Sequence, residues 1–360
     1  MILFHGNDLL NALHTSESLT AYLNTPTVAP ELLSAGDYSA LSVKDRDAYD
    51  RRRVIYLSGG IVLETPGLAE ARHRLQDCFN NNLGKNSGHT GLMVSGDSTV
   101  GKTTTVKALM QFVYNAYKRQ HTGFDSQQQV PVVYIEVPPA STGKLLIIAF
   151  AEFFGLPVRS GESMVSIRKR VTAAINAAGT QLIVVDELHN LARRTAGNGE
   201  SVDVLKSLHN DLPCTFVYAG IDLTSGELLG GPRGQQLSAR FDIMLMARYN
   251  PSRKEDRAIW RQLVNGFEKR LPLMEHQQGS LAGMWEYLFE RTNGSIGSLA
   301  RLITGAAIET LTTDGMPEAI TREQLDTRRL DYAAETARAN RLTRKNNPMS
   351  TENLIKTVTP

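Results

Sequence analysis

The feature that most constrains this chain is the stretch at residues 96–104, GDSTVGKTT. It matches the pattern G-x-x-x-x-G-K-[ST] at every fixed position. The apolar run at 91–95 is typical of a buried strand, and residues 104–117 carry apolar side chains at helical spacing. A strand, a glycine-bracketed loop and a helix N-terminus together form a cradle of backbone N–H groups for phosphate. The stretch therefore predicts nucleotide binding.

The residue types in this loop indicate individual roles. Lys102 is expected to reach the β- and γ-phosphates and to contribute to catalysis, and the Thr103 hydroxyl to bind Mg²⁺. The predicted nucleotide-binding residues of the loop are Gly96, Asp97, Ser98, Thr99, Val100, Gly101, Lys102, Thr103 and Thr104. ATP and Mg²⁺ are the predicted cofactors.

A second signal is the run QLIVVDE at residues 181–187, in which apolar residues end in two acids. Parallel sheets bind ligands at the carboxyl edge of their strands. Asp186 is expected to hold Mg²⁺, directly or through water, and Glu187 to orient and polarise the attacking water. Acids after buried strands are common, but the position of this pair downstream of a phosphate loop favours the catalytic interpretation.

The order of strands and helices predicts an α/β fold with a parallel sheet sandwiched by helices. Strands are expected at 91–95, 130–137, 181–187 and 213–220, with helices between them. After residue 251 only helical patterns recur, which predicts a small all-α lid whose core includes Trp260, Trp285 and Phe289. The predicted domains are an N-terminal arm (1–45) that docks on a partner or is partly mobile, a nucleotide-binding domain (46–250), a helical lid (251–325) and a basic helix with a polar tail (326–360).

Composition limits the other classes of protein. The formal net charge is +2, so any contact with nucleic acid must come from local patches. The cysteines are Cys78 and Cys214, which argues against a disulfide framework or a zinc site and suits a reducing cytoplasm. We expect no signal peptide at the start and no membrane contact, because no apolar run approaches the ~20 residues that span a bilayer.

Two arginines are candidates for contact with the phosphates. Arg240 suits a finger that reaches the γ-phosphate of a neighbouring subunit, with a surface salt bridge as the alternative and Arg233 as the substitute. Residues 293–301 are expected to start a helix after a glycine turn, which puts Arg301 one turn into the helix as a candidate second sensor of the nucleotide. The tip of the fourth strand lacks Asn or Thr until Thr224, which leaves the γ-phosphate sensor unassigned.

Two charged stretches leave open alternatives. Residues 44–53 are either a solvated helix face or a basic lip that faces phosphates. Near the C-terminus, Arg338, Arg341 and Lys345 share one helical face, which is either solvated or in contact with a partner or DNA.

The order of these parts resembles the AAA+ P-loop NTPases. Several segments resemble, more specifically, the TniB/TnsC family of transposon target-selection regulators. The segments that carry this likeness are residues 49–53 with 64–66, 185–191, 205–213 and 233–241. The resemblance extends over roughly residues 45 to 310. It implies ATP-bound subunits that assemble as rings or helical filaments on double-stranded DNA. It also implies a transposase and a target-selector protein as partners, with hydrolysis driving disassembly.

Within this resemblance, the DNA-binding candidates are polar and basic loop residues. They are Ser141, Thr142, Lys144, Arg193 and Arg194. They are expected to contact phosphates rather than bases, which gives largely sequence-independent and salt-sensitive binding. The alternative is that these side chains are simply solvated.

Two other functions fit the same core. One is an AAA+ loader of another nucleic-acid machine, such as a helicase. The other is an oligomerising NTPase switch in signalling, for which DNA is irrelevant. Stimulation of ATP turnover by DNA separates the transposition regulator and the loader, which act on DNA, from the signalling switch, which does not.

Overall fold

The computed structural model describes residues 12–25, 27–191, 198–223, 236 and 238–346. These residues form two compact units. The sheet unit contains the described residues of 4–26 and of 64–247, and the helical unit those of 27–63 and of 248–360.

The sheet unit is built on five parallel strands. They are β1 (Gly91–Gly96), β2 (Val132–Glu136), β3 (Leu182–Asp186), β4 (Thr215–Gly220) and β5 (Phe241–Met246), in the order β2-β3-β4-β1-β5. β1 pairs with β4 on one side and with β5 on the other, so that Leu92 lies opposite both Val217 and Asp242. All the strands except β5 are almost wholly buried, which explains the continuous apolar sequences of β1 to β4.

Helices cover this sheet. They are α1 (Ser16–Asn24), α4 (Pro66–Asn82), α5 (Lys102–Gln120), α6 (Gly143–Phe153), α7 (Met164–Ala177) and α8 (Asn198–Asp211), with 3₁₀ turns at Phe124–Gln127 and Leu188–Asn190. Thr15 caps α1 through a reciprocal capping box, and the helix buries Leu19 and Leu23 in the core of the sheet unit. Part of the predicted docking arm therefore packs on the protein's own core.

The helical unit has a separate core. Its helices are α2 (Ala35–Ala40), α3 (Val43–Gly59), α9 (Lys254–Glu268), α10 (Ser280–Gly283), α11 (Trp285–Thr292), α12 (Ile296–Thr312), α13 (Arg322–Thr327) and α14 (Tyr332–Asn346). Trp260 is fully buried and its indole N–H donates to the Trp285 carbonyl. The predicted aromatic core is thus present, although the Trp285 side chain is only half-buried.

The division between the units differs from the predicted boundary at residue 45, because α3 belongs to the helical unit. Arg53 of α3 is fully buried. Its guanidinium donates to Glu318 (2.6 and 2.9 Å), to Asp50 (2.5 Å) and to the Pro272 carbonyl (3.1 Å). Arg53 therefore lies neither on a solvated face nor on a basic lip, the two alternatives for this stretch.

None of the helices in the described ranges is long and apolar enough to cross a membrane.

Candidate nucleotide site

The predicted phosphate loop connects the carboxyl end of β1 to the first turn of α5. Gly101 caps α5 with a left-handed backbone (φ 98°), and Thr99 is also left-handed (φ 67°). A Cβ on Gly96 would lie 2.2 Å from the Met246 carbonyl oxygen, so only glycine fits there. The predicted loop residues run from the last residue of β1 through this turn into the first turn of α5, and the first N–H groups of a helix have no acceptor within the helix itself.

Lys102 is folded under the loop. Its ammonium donates to the carbonyl oxygens of Gly96 (2.9 Å) and Asp97 (2.6 Å), and only 7% of the residue is exposed. Burial lowers the pKa of Lys102. The negative charges of Glu187, Asp186 and Asp97 act in the other direction and offset part of this lowering. The ammonium therefore lies in the field of the acidic pair that the sequence predicts as its catalytic partners.

Asp186 is the last residue of β3 and is 1% exposed. Its carboxylate accepts from the Glu187 N–H (2.8 Å) and from the Tyr134 hydroxyl (3.3 Å). Burial, followed by the charge of Asp186, raises the pKa of Tyr134. Tyr134 is therefore a neutral donor that orients this carboxylate. Sequence reasoning missed it, although a hydroxyl within the apolar run of β2 is a detectable signal.

Glu187 directly follows β3 in a left-handed conformation (φ 54°), and its side chain is 32% exposed. This uncommon backbone turns the chain out of the strand and into the 3₁₀ turn Leu188–Asn190. The His189 ring lies next to the Glu187 carboxylate, with Nδ1 3.3 Å from Oε2. His189 has no role predicted from the sequence, although a polar side chain two residues after the acid is a detectable signal.

The residues predicted to hold Mg²⁺ fit that ion. Thr103 is exposed in the first turn of α5, and Asp186 supplies a fixed carboxylate at the same edge of the sheet. Mg²⁺ usually keeps several waters and takes one or two protein ligands together with phosphate oxygens. The described part of the chain holds no group of three or more His, Cys, Asp or Glu suited to a metal.

The tip of β4 offers no side chain of the expected sensor type between Gly220 and Leu223. Asp222 is exposed and left-handed (φ 49°), and the Leu223 N–H donates to the hydroxyl of Ser95 (3.0 Å). Thr224, the next candidate, lies outside the described residues.

Arg240 lies at the amino end of the parallel strands, whereas the phosphate loop lies at their carboxyl end. Its carbonyl accepts from the N–H of Gly91, the first residue of β1, and its guanidinium donates to Asn210. The length of β1, about 17 Å by strand geometry, separates that end from Gly96. Arg240 is thus out of reach of the phosphate loop of its own chain. The alternative residue, Arg233, is outside the described residues.

Arg301 is exposed in the second turn of α12, in the helical unit. Its role as a second sensor stays a prediction.

The predicted DNA-binding residues differ in exposure. Thr142 is exposed and its hydroxyl caps α6, and Lys144 is exposed in the first turn of that helix. Ser141 is fully buried, so its hydroxyl cannot contact DNA in this conformation. Arg193 and Arg194 lie outside the described residues.

The loop after β2 is tied to the segment after β3 by a set of hydrogen bonds, which we call the loop strap. Val137 N–H donates to the Asp186 carbonyl (3.0 Å), the Asn190 side chain to the Val137 carbonyl (2.9 Å), and Ser141 N–H to the Asn190 carbonyl (3.1 Å). Ser141 also forms a parallel bridge with Leu191. The strap joins the loop of Thr142 and Lys144 to the residues that flank Glu187.

Comparison with known families gives a match over the centre of the chain. The sequence model of the family described as "Bacterial TniB protein" matches residues 53–251. The match includes the phosphate loop, both acids and Arg240, and it confirms the resemblance inferred from the sequence. None of the curated proteins matches the chain in sequence.

Solved structures show the same fold at low identity. The ORC2 protein of Aeropyrum pernix, in ADPNP-ADP complexes, is 15% identical with a TM-score of 0.55, covering 76% of this chain and 70% of its own. The ORC1 protein of the same organism, in complex with DNA, is 18% identical with a TM-score of 0.54, covering 79% and 68%. CDC6P from Pyrobaculum aerophilum is 15% identical with a TM-score of 0.53, covering 74% and 68%. The predicted α/β, AAA+ P-loop NTPase fold is thereby confirmed.

Proposed function

Because the chain belongs to the bacterial TniB family, we propose that it is a DNA-binding ATPase that regulates transposition. The observation that supports this most directly is the convergence of Lys102, Asp186 and Glu187 on the carboxyl edge of one parallel sheet. Convergence of an ammonium, a buried carboxylate and a half-exposed carboxylate beside a phosphate loop is what ATP hydrolysis requires.

In the proposed reaction each side chain has a separate task. Lys102 leaves the carbonyls of Gly96 and Asp97 and stabilises negative charge on the phosphates. Glu187 orients the attacking water and accepts its proton. A Mg²⁺ ion bound by Thr103 and Asp186 would neutralise phosphate charge. The neutral hydroxyl of Tyr134 keeps the Asp186 carboxylate in place.

The proposed DNA contact involves the loop after β2. Thr142 and Lys144 are exposed there, and Arg193 and Arg194 follow the strapped segment along the chain. A hydroxyl and three cations suit phosphate contacts that carry no sequence information. The ORC1 protein of the same fold, solved in complex with DNA, supports a DNA-binding function for this fold.

We further propose that ATP-bound subunits assemble on double-stranded DNA as a ring or a helical filament. Arg240 of one subunit then completes the site of the next, and Arg301 acts as a second sensor of the nucleotide. A transposase and a target-selector protein in the cytoplasm are the proposed partners. ATP hydrolysis would dismantle the assembly.

The test is ATP turnover and sedimentation of the purified protein with and without duplex DNA, at low and moderate salt. We expect ATP and DNA together to give large assemblies and faster turnover, with the DNA effect declining as salt rises. Lys102→Ala should lower turnover by about 100-fold or more. The matched control is Lys107→Ala on the same helix, where the ammonium lies over the Tyr22 ring, 5.8 Å from its centroid, and turnover should persist.

Two results would contradict parts of this proposal. Normal turnover of Lys102→Ala would remove the site assignment. Assembly with ATP alone, unchanged by DNA, would reject the DNA-binding function and favour the signalling switch.

A further inference from the structure

His189 lies between Glu187, the acid that follows β3, and the tip of β4. The Ile221 N–H, the first backbone donor after β4, donates to Nδ1 of His189 at 3.3 Å. The same Nδ1 is 3.3 Å from Oε2 of Glu187. The His189 side chain is 20% exposed, so most of the ring is covered by protein.

These two contacts exclude each other at a single atom. Nδ1 accepts the Ile221 N–H only when it carries no proton, and it donates to the Glu187 carboxylate only when it does. In a neutral ring the two cases are the two tautomers, which differ in the nitrogen that holds the proton. His189 is therefore bonded either to β4 or to Glu187.

The backbone around the ring fixes its place. Leu188 is fully buried, and the 3₁₀ turn that carries His189 starts at the left-handed Glu187. A Cβ on Gly220 would meet the backbone nitrogens of Leu188 and His189 at 3.3 Å. This close approach of the last residue of β4 keeps the ring beside Ile221, so a small shift of the β4 tip reaches Glu187 through His189.

We propose that His189 is the positioning residue of Glu187, linking its carboxylate to the tip of β4. It supplies a polar side chain at a strand tip that has neither Asn nor Thr between Gly220 and Leu223. When Nδ1 carries the proton, His189 holds the carboxylate in one orientation; when Nδ1 accepts from Ile221, the carboxylate is released. This inference rests on the proposed ATPase function.

The test compares His189→Ala with His189→Asn, using kcat, KM, equilibrium ATP affinity and melting temperature. His189→Ala should lower kcat by about tenfold or more, since orientation of the acid is lost, while KM and ATP affinity change by less than about twofold. His189→Asn places an amide near the position of Nδ1 and should recover much of kcat. His73→Ala is the control, because His73 of α4 also lies beside a carboxylate, 3.5 Å from Asp77, but 78% of its side chain is exposed, so its turnover should match that of the wild type.

The outcomes separate the inference from the function on which it rests. Wild-type kcat in His189→Ala would overturn the positioning role alone. Equal losses of kcat in the Ala and Asn variants, accompanied by equal losses of melting temperature, would show a structural residue and overturn it as well. A wild-type protein that binds ATP without ever hydrolysing it would overturn the proposed ATPase and this inference together.

Discussion

At the scale of single residues, His209 shows how the core of the sheet unit limits its tolerance of acid. The ring is fully buried, its Nε2 lies 2.6 Å from the His89 carbonyl, and it packs on Phe216 and Phe241 with centroids 5.1 Å apart. Burial is the main cause that lowers the pKa of His209 to about 4; the hydrogen bond to the His89 carbonyl opposes it and the charge of Arg240 contributes to it. The folded protein thus keeps this ring neutral at pH values where an unfolded histidine is already charged.

A pH dependence of stability follows from this depressed pKa. The unfolded ring, with a pKa of about 6.5, binds a proton as the pH falls, and the folded ring does not until about pH 4. Its contribution is complete above pH 6.5 and is lost between that pH and 4. At pH 5.5 the wild type should have lost about 1 kcal/mol of unfolding free energy from this group.

Urea unfolding of the wild type and His209→Gln at pH 7.5 and 5.5, followed by circular dichroism, measures this contribution. The glutamine retains an N–H donor for the His89 carbonyl and does not titrate. The same pH dependence in both proteins would exclude His209 as the source.

At the scale of elements, the ion pairs of Arg53 attach α3 to the rest of the helical unit. The Arg53 side chain is fully buried and that of Glu318 is 14% exposed. Glu318→Gln keeps one acceptor oxygen beside the guanidinium but leaves Asp50 as its charged partner, and a partly compensated buried charge is costly. We expect the helical unit to lose about 3 kcal/mol of stability.

Tryptophan fluorescence can follow this effect, since both tryptophans, Trp260 and Trp285, lie in the helical unit. Glu309→Gln is the matched control, because Glu309 pairs with Arg328 where the side chains are 39% and 29% exposed. That change should cost less than about 1 kcal/mol. Similar melting of the two variants would contradict the importance assigned to the buried pair.

Helix α3 also shows which parts of the fold could not be predicted from the sequence. Strands β1 to β4 and the helices between them follow from apolar runs and helical spacing, and the phosphate loop follows from its motif. The edge strand β5 was missed, because its burial repeats every third residue, and only Phe241 and Met244 are buried. The place of α3 depends on Arg53 meeting Glu318, a contact 265 residues apart that no local pattern encodes.

The site divides in a similar way. Lys102, Asp186 and Glu187 have sequence patterns of their own, whereas Tyr134 and His189 acquire their contacts through strand pairing. Tyr134 meets Asp186 because β2 and β3 are neighbours, and His189 meets Ile221 because β3 and β4 are neighbours. Propensity and motif carry no information on such pairings.

At the scale of the whole molecule, Arg240 and the phosphate loop lie at opposite ends of the strands of one sheet. If Arg240 acts in catalysis, it therefore acts on a neighbouring subunit, which mixed variants can test. Arg240→Ala keeps Glu187, and Glu187→Gln keeps Arg240. Each variant alone should be inactive, whereas an equal mixture should recover about a quarter of the wild-type turnover, for random head-to-tail neighbours. Steady-state ATPase of the co-assembled mixture measures this recovery.

The Arg240 variant needs its own control, because the change also removes the hydrogen bond to Asn210. Asn210→Ala removes that contact and keeps the guanidinium, so turnover should persist. A mixture that sediments as one assembly yet stays inactive would exclude the action of Arg240 between subunits.

The loop strap has a thermodynamic consequence. Three hydrogen bonds and a bridge join the loop of Thr142 and Lys144 to the residues on either side of Glu187. A molecule that binds this loop and thereby shifts Glu187 must itself be bound more or less tightly according to what occupies the phosphate loop, since linked equilibria are reciprocal. The factor by which such a molecule changes nucleotide affinity is then the factor by which the nucleotide changes the affinity of that molecule.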